Sequence, residues 1–109
     1  MSKTITREQI KEKLDNKEPI TIIEALPKSY FDAEHLPGAL NIPHDEIQKK
    51  ASEMLPDKNA FIIVYCASTE CRNSKIASDI LRQMGYTNTF EYVEGKKHWL
   101  EAGLPVQSA

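Results

Sequence analysis

The stretch Phe61–Tyr86, FIIVYCASTECRNSKIASDILRQMGY, joins a predicted strand to a predicted helix through a polar loop. The run FIIVY is continuously apolar and rich in β-branched residues, which is typical of a strand buried on both faces of a parallel sheet. The segment NSKIASDILRQM has apolar residues at helical spacing and is followed by Gly85, a residue type that commonly ends helices. Cys66 comes directly after the strand, so a thiol is expected between a buried strand and a helix N-terminus.

The same alternation continues on both sides of this stretch. Strands are predicted at PITIIEAL, at the short segment ALNIP and at TFEYVEG, because these segments are apolar and β-branched. Helices are predicted at TREQIKEKLDNKE, with Thr6 as the N-cap, at HDEIQKKASEMLPD and at KKHWLEAG, with a short helix or turn at PKSYFDAEHLPG. Strands that alternate with helices form parallel sheets covered on both sides. We therefore predict a three-layer α/β fold, with a parallel sheet of four to five strands flanked by helices.

Three of the predicted helices have an apolar face that we expect to pack on the sheet. Charged residues fill most of the other positions, which is typical of a solvated face. The residues expected to point inward are Ile10 and Leu14 in the first helix, Ile47, Ala51 and either Met54 or Leu55 in the helix before Phe61, and Ile76, Ile80 or Leu81, and Met84 in the helix after Cys66.

The composition is that of a globular protein and argues against several functions. The chain has 109 residues, 40% of them hydrophobic and 28% charged, which predicts a single domain spanning residues 1–109. A net charge of −2 at pH 7 indicates no nucleic-acid partner. No apolar run approaches the roughly 20 residues that cross a bilayer, and the scattered histidines show no metal-ligand spacing. Without an apolar leader segment, we expect a cytoplasmic protein with reduced thiols and no membrane partner.

Cys66 is the candidate nucleophile. In open α/β sheets, ligands bind beyond the carboxyl ends of the strands, which is where Cys66 is expected. The following helix N-terminus has free N–H groups and a positive dipole end, and both would lower the pKa of the thiol and favour the reactive thiolate. The loop that would wrap the sulfur and bind an anion consists of Ala67, Ser68, Thr69, Glu70, Cys71 and Arg72.

Both cysteines also have a purely structural interpretation. A cysteine at the end of a buried strand can be only a small apolar residue, and the same holds for Cys71 near the start of a helix. Alternatively, Cys71 could resolve an oxidised Cys66 if the loop rearranged. We expect both thiols to be free in the reduced protein. His35, which precedes a Pro-Gly turn, is expected to be a hydrogen-bonded structural residue.

Three blocks of sequence carry recognisable motifs. The first, TIIEALPKSYFDAEHLPGALNIP, contains His-Leu-Pro-Gly-Ala followed by Asn-Ile-Pro. The second contains Cys66 and ends in a Leu-x-x-x-Gly-Tyr pattern, and the third reads YVEGKKHWLEAGLPV. In this order, from about Pro19 to Val106, the blocks resemble a single-domain rhodanese of the sulfurtransferase superfamily. The matching family patterns are His-Ile-Pro-Gly-Ala with Asn-Ile-Pro, the nucleophile strand and loop, and Glu-Gly-Gly-x-x-x-Trp with Ala-Gly-Leu-Pro-Val.

The resemblance implies a rhodanese-like domain with an activity of the thiosulfate sulfurtransferase type. Cys66 would take sulfane sulfur from thiosulfate, or from a protein or low-molecular-weight persulfide, and become a persulfide itself. A thiophilic acceptor would then remove the sulfur. The partners implied are a small sulfur-containing anion or a protein persulfide or thiol, and no cofactor or metal is needed.

Departures from the family pattern leave two alternatives open. Glu24-Ala25-Leu26 replaces the usual Asp-Val-Arg, and Gly95-Lys96 replaces the Gly-Gly pair. These losses favour an inactive rhodanese-like binding module, whereas retention of Cys66 argues against it. The loop is also longer than the family's usual loop and contains no glycine. Because the spacing Cys66-x5-Arg72 matches the phosphatase signature, a Cys-dependent phosphatase or arsenate reductase of the same superfamily is the other alternative.

Overall fold

A computed structural model describes residues 3–108 of the chain. Within these residues, none of the helices combines the length and the apolar character needed to cross a bilayer. The same residues contain four strands and five α-helices, with a 3₁₀ turn at His44–Glu46: α1 (Arg7–Asp15), β1 (Ile20–Glu24), α2 (Lys28–Ala33), β2 (Leu40–Asn41), α3 (Ile47–Met54), β3 (Phe61–Tyr65), α4 (Asn73–Gln83), β4 (Thr89–Tyr92) and α5 (Gly95–Glu101).

The sheet is parallel throughout, with the strand order β2-β1-β3-β4. The longest pairing joins β1 and β3 from Ile20↔Phe61 to Glu24↔Tyr65. The predicted parallel sheet of four to five strands is therefore confirmed, with four strands in the described residues. Because β3 lies inside the sheet, the residue after it, Cys66, emerges at the centre of the carboxyl edge.

Helices cover both faces of the sheet, which confirms the three layers. Ile62 and Val64 of β3 pack into one buried cluster with inner residues of α3 and α4. Ile63 and Tyr65 point to the other face and pack into a second cluster with α1 and α5. A continuously apolar strand such as FIIVY is what a position between two such clusters requires.

The predicted inner faces of α1 and α3 are confirmed. Ile10 is fully buried, and Leu14 packs against the same cluster from a partly buried position. In α3 the alternative at the last turn resolves to Leu55, which is buried just beyond the helix, while Met54 is exposed. Thr6 caps α1 as predicted, and its side chain forms a reciprocal capping box with Gln9.

The prediction for α4 is wrong at one residue. Ile76 is 43% exposed, whereas Leu81 is fully buried and Ile80 and Met84 are partly buried against the core. The helix meets the sheet through small residues, which allow its backbone to approach closely and thereby set which face points inward. The buried residues of α4 are Ser74, Ala77, Ser78 and Leu81.

Leu81→Ala should lower the free energy of unfolding by about 3 kcal/mol, because truncating a fully buried leucine leaves a cavity between α4 and the sheet. Ile76→Ala on the same helix is the matched control and should change stability by less than about 0.5 kcal/mol. Urea denaturation of the two variants measures the difference. Equal losses at both positions would contradict the orientation of α4.

Candidate active site

The predicted loop forms a turn between β3 and α4. Its backbone is closed by a hydrogen bond from the Cys71 N–H to the Ser68 carbonyl oxygen, with N and O 3.1 Å apart. The Cys66 side chain at the start of the turn is fully buried. Of the other predicted loop residues, Ala67, Ser68 and Cys71 are half-buried, and Thr69, Glu70 and Arg72 are exposed.

The start of α5 holds the base of this turn. The Lys96 N–H donates to the Cys66 carbonyl oxygen at 2.8 Å, and the Lys97 N–H donates to the Ala67 carbonyl oxygen at 2.9 Å. Gly95 adopts a φ of +73°, and a Cβ at this position would lie 2.6 Å from the Cys66 carbonyl oxygen. Position 95 therefore needs glycine, because both its backbone conformation and the close approach of the loop exclude a side chain.

The sulfur of Cys66 faces oxygen atoms. Its thiol lies 3.3 Å from the Cys71 carbonyl oxygen and 3.3 Å from the Ser74 hydroxyl oxygen. The Ser74 hydroxyl in turn donates to Oε2 of Glu91 on β4, at 2.7 Å. Ser74 and Glu91 are also buried, so a thiol, a hydroxyl and a carboxylate form a hydrogen-bonded chain inside the protein.

The prediction of a lowered pKa for Cys66 is wrong for this structure. Burial is the main cause that raises the pKa of the thiol to about 11, and the hydrogen bond to Cys71 adds to it against a lowering by Ser74. The carbonyl of Cys71 occupies the side of the sulfur where backbone N–H groups were expected. Proximity to the start of α4 does not offset these two effects.

Arg72 does not join the site through its side chain. It is exposed, and its guanidinium makes no hydrogen bond or ion pair with the residues that the structure describes. The Cys-x5-Arg spacing therefore does not, in this structure, produce an anion site built from both side chains. Cys71 contributes its carbonyl, and both cysteines are free thiols, as expected.

A buried ion pair lies beneath the loop. The Lys96 ammonium donates to Oε2 of Glu24 at 3.0 Å and to the carbonyl oxygens of Tyr30 and Glu34 at 2.9 and 2.6 Å. The Tyr65 hydroxyl donates to the other carboxylate oxygen of Glu24 at 2.6 Å. Two of the positions that depart from the family pattern, 24 and 96, are thus direct partners.

Four polar residues of this region were not predicted as functional. Ser74 lies in the predicted helix after the loop, and its contact with Cys66 follows from the turn geometry. The other three residues could have been found from the sequence, because each is a charged residue at an unusual position. Glu24 ends the strand ITIIE, Glu91 interrupts the strand TFEY, and Lys96 replaces a glycine.

His35 has the predicted structural role. It is 7% exposed, its Nδ1 lies 2.8 Å from the Phe31 carbonyl oxygen, and its ring stacks on that of Phe31. Within residues 3–108, no group of three or more His, Cys, Asp or Glu side chains is arranged to hold a metal ion.

A cleft of about 660 Å³ opens beside the loop, between α2 and α5. Ala67 lines it, together with Leu26 at the end of β1 and Ala33 of α2. Tyr30 and Leu100 complete its apolar wall and are 57% and 36% exposed. Such a volume suits an organic ligand or a segment of another protein.

Lys96→Met should lower the free energy of unfolding by about 3 kcal/mol, because it leaves the Glu24 carboxylate buried without its cation. Lys97→Met is the control, since Lys97 is exposed, and it should change stability by less than about 0.5 kcal/mol. Chemical denaturation of both variants tests this expectation. A Lys96→Met variant as stable as Lys97→Met would show that the ion pair is dispensable.

Alkylation of Cys66 by iodoacetamide should accelerate about tenfold per pH unit between about pH 7 and pH 10. The thiolate is the reacting species, and the pKa of the Cys66 thiol is raised to about 11, so its ionised fraction keeps rising through this range. The measurement is made in Cys71→Ser, in which Cys66 is the remaining cysteine. A rate that levels off near pH 8 would contradict the raised pKa.

Known proteins resemble this chain in sequence and in fold. The sequence matches the rhodanese-like domain family over residues 6–102. The thiosulfate sulfurtransferase PspE of Escherichia coli is 41% identical over 63 residues, which cover 58% of this chain and 58% of PspE. The chain spans about half the length of the curated relatives it matches, between 37% and 58% in three of them.

Solved structures agree with the fold. The rhodanese-like domain of the Anabaena protein Alr3790 has a TM-score of 0.87 at 26% identity, and the match covers 100% of this chain and 81% of that one. The human single-domain sulfurtransferase TSTD1 has a TM-score of 0.79 at 20% identity, covering 93% and 97% of the two chains, and this likeness shows the fold alone. With the family match extending from α1 to the end of α5, the chain belongs to the rhodanese-like domain family.

Proposed function

We propose that the protein is a sulfurtransferase in which Cys66 carries sulfane sulfur as a persulfide. The observation that carries the proposal is the position of Cys66, which follows the inner strand β3 at the carboxyl edge of the sheet and precedes α4. Ligands of open α/β sheets bind at this edge. Membership of the rhodanese-like domain family and similarity to PspE, a thiosulfate sulfurtransferase, support this reaction type.

The reaction proceeds in two displacements. The Cys66 thiolate attacks the outer sulfur of the donor, forming a new S–S bond while the donor's own S–S bond breaks. When the donor is thiosulfate, the leaving group is sulfite. When the donor is an organic or protein persulfide, the leaving group is a thiol. A thiolate acceptor next attacks the outer sulfur of the Cys66 persulfide, which releases the Cys66 thiolate and needs no external oxidant or reductant.

The turn has to change conformation during this cycle. A persulfide on Cys66 carries its negative charge on the outer sulfur, and the Cys71 carbonyl oxygen now facing Sγ would repel it. Rotation of the peptide between Cys71 and Arg72 would turn an N–H toward the sulfur in place of the carbonyl. The predicted loop Ala67–Arg72 thus becomes an anion-binding turn in the loaded state.

The cleft beside Ala67 suits an organic thiol or persulfide, or a protein that presents one. Its walls are mostly apolar, Leu26 stands where the family usually has an arginine, and the charges of Lys97 and Glu101 in its lining are of opposite sign. The nearby buried cation, Lys96, is held by Glu24 and two carbonyl oxygens. A persulfide with an apolar body therefore fits this surface better than thiosulfate does, and a reducing compartment such as the cytoplasm would keep the thiol ready.

The structure gives little support to the two alternative functions, a Cys-dependent phosphatase or arsenate reductase and an inactive binding module. An exposed Arg72 and a carbonyl pointing at the sulfur do not favour an oxyanion substrate such as phosphate or arsenate. The departures from the family pattern at positions 24 and 96 form an ordered ion pair, which argues against a decayed binding module.

Treatment with thiosulfate or glutathione persulfide should add one sulfur atom to the protein, as measured by intact mass, and dithiothreitol should remove it. Cys66→Ser should gain no sulfur, and the matched control Cys71→Ser should gain it as the wild type does, because both proposed displacements take place at the Cys66 sulfur. An adduct in Cys66→Ser, or no adduct on a wild-type protein whose Cys66 can still be alkylated, would overturn the proposal. Turnover of a phosphate ester or arsenate through Cys66 would favour the phosphatase or reductase alternative.

A further inference from the structure

Glu91 is a buried carboxylate that the proposed reaction does not use. It lies on β4 opposite Val64 of β3, and it is 6% exposed. Its Oε2 accepts the hydroxyl proton of Ser74 at 2.7 Å, across the gap between β4 and α4. Burying a carboxylate between apolar neighbours is costly unless it is hydrogen-bonded, and the Ser74 hydroxyl supplies such a bond to Glu91.

The hydroxyl of Ser74 has a single proton, and in this structure that proton is directed to Glu91. Ser74 Oγ can then offer only lone pairs to Cys66 Sγ, which lies 3.3 Å away. The Cys71 carbonyl, also 3.3 Å from the sulfur, offers only lone pairs as well. A thiol can donate to either oxygen, whereas a thiolate would face two acceptor oxygens, opposed by the Ser74 backbone N–H.

We infer that Glu91 is a positioning residue that acts through Ser74 to hold Cys66 as a protonated thiol in the resting protein. The thiolate is favoured only when the Ser74 hydroxyl turns from the carboxylate to the sulfur. The inference rests on the proposed role of Cys66 as the nucleophile. It assigns Glu91, on β4, a role in setting the fraction of Cys66 that is present as the thiolate.

The charged groups around this chain do not neutralise Glu91. Lys3, on the segment beside β4, contacts Glu91 through its backbone, while its ammonium donates to the Thr87 carbonyl oxygen. Arg82 of α4 directs its guanidinium to Asp79 and to a backbone carbonyl of β4.

The groups that face Cys66 act in opposite directions: the Cys71 side chain raises the pKa of Cys66, and hydrogen bonds from Ser74 lower it. These groups are the Cys71 thiol from the turn and the Ser74 hydroxyl from α4, with the Glu91 carboxylate behind it. A negative charge behind Ser74 opposes a second negative charge on the sulfur, in addition to consuming the hydroxyl proton.

The test is the rate of iodoacetamide alkylation of Cys66 as a function of pH, in a Cys71→Ser background. Glu91→Met removes the acceptor at similar side-chain length, so the Ser74 hydroxyl is left with the sulfur as its neighbour. The rate at pH 7.5 should rise about tenfold, which corresponds to a fall of about one unit in the pKa of Cys66. Glu91→Gln removes only the charge and should give a rise of about threefold.

Two controls separate positioning from structure. Glu94→Gln removes the same charge three residues further on, and it should change the rate less than twofold. Adding Ser74→Ala to Glu91→Met should abolish the gain, because the hydroxyl that would turn to the sulfur is gone. Circular dichroism and the thermal midpoint report whether each variant folds.

An unchanged or slower alkylation of Cys66 in a folded Glu91→Met variant would overturn the inference. A slower rate would instead show that Glu91 promotes ionisation of the Cys66 thiol by accepting its proton. If Glu91→Met does not fold, Glu91→Gln decides in the same way. Persulfide formation from glutathione persulfide is measured separately in each variant. Faster alkylation without any sulfur adduct would thus uphold the role of Glu91 while overturning the proposed function.

Discussion

The structure depends on the point at which α5 meets the end of β3. There the Lys96 N–H binds the Cys66 carbonyl oxygen at 2.8 Å, and the same residue sends its ammonium to Glu24 at the end of β1. One residue therefore fixes the backbone of the nucleophile and the charge beneath it. The cleft beside the loop follows from the same contact, because the Lys96 ammonium also holds the carbonyl oxygens of Tyr30 and Glu34 around α2.

Around this junction, burial decides the chemistry of Cys66. Helix N-termini lower the pKa of a thiol when their N–H groups reach the sulfur. Here the backbone N–H of Ser74 lowers the pKa of Cys66, but burial and the contacts of the turn outweigh it, and the Cys71 carbonyl oxygen lies 3.3 Å from the sulfur. The protein thus holds its thiol neutral in a site whose proposed reaction needs the thiolate, and both the turn and Ser74 have to rearrange for the reaction.

Sequence patterns predicted the layers, the parallel sheet and the place of Cys66, because these depend on strand periodicity and on where an apolar run stops. They failed at Ile76, since the face that α4 buries is set by the small residues Ser74 and Ala77 rather than by the largest apolar ones. They also failed for the pKa of Cys66. Which of a turn's carbonyl and N–H groups points inward depends on backbone angles, and residue types alone do not fix these angles.

The close packing at Gly95 places opposite demands on the two neighbouring positions 95 and 96. Position 95 accepts no side chain, because a Cβ there would meet the loop backbone at 2.6 Å. Position 96 lies one step into the helix, and its side chain leads into the interior, where it accommodates a lysine. Gly95-Lys96 is thus one position closed to side chains beside one that holds a buried cation. Changing residues 24 and 96 together gives evolution, or a protein engineer, a way to alter the charge beneath a rhodanese-like loop while the backbone stays as it is.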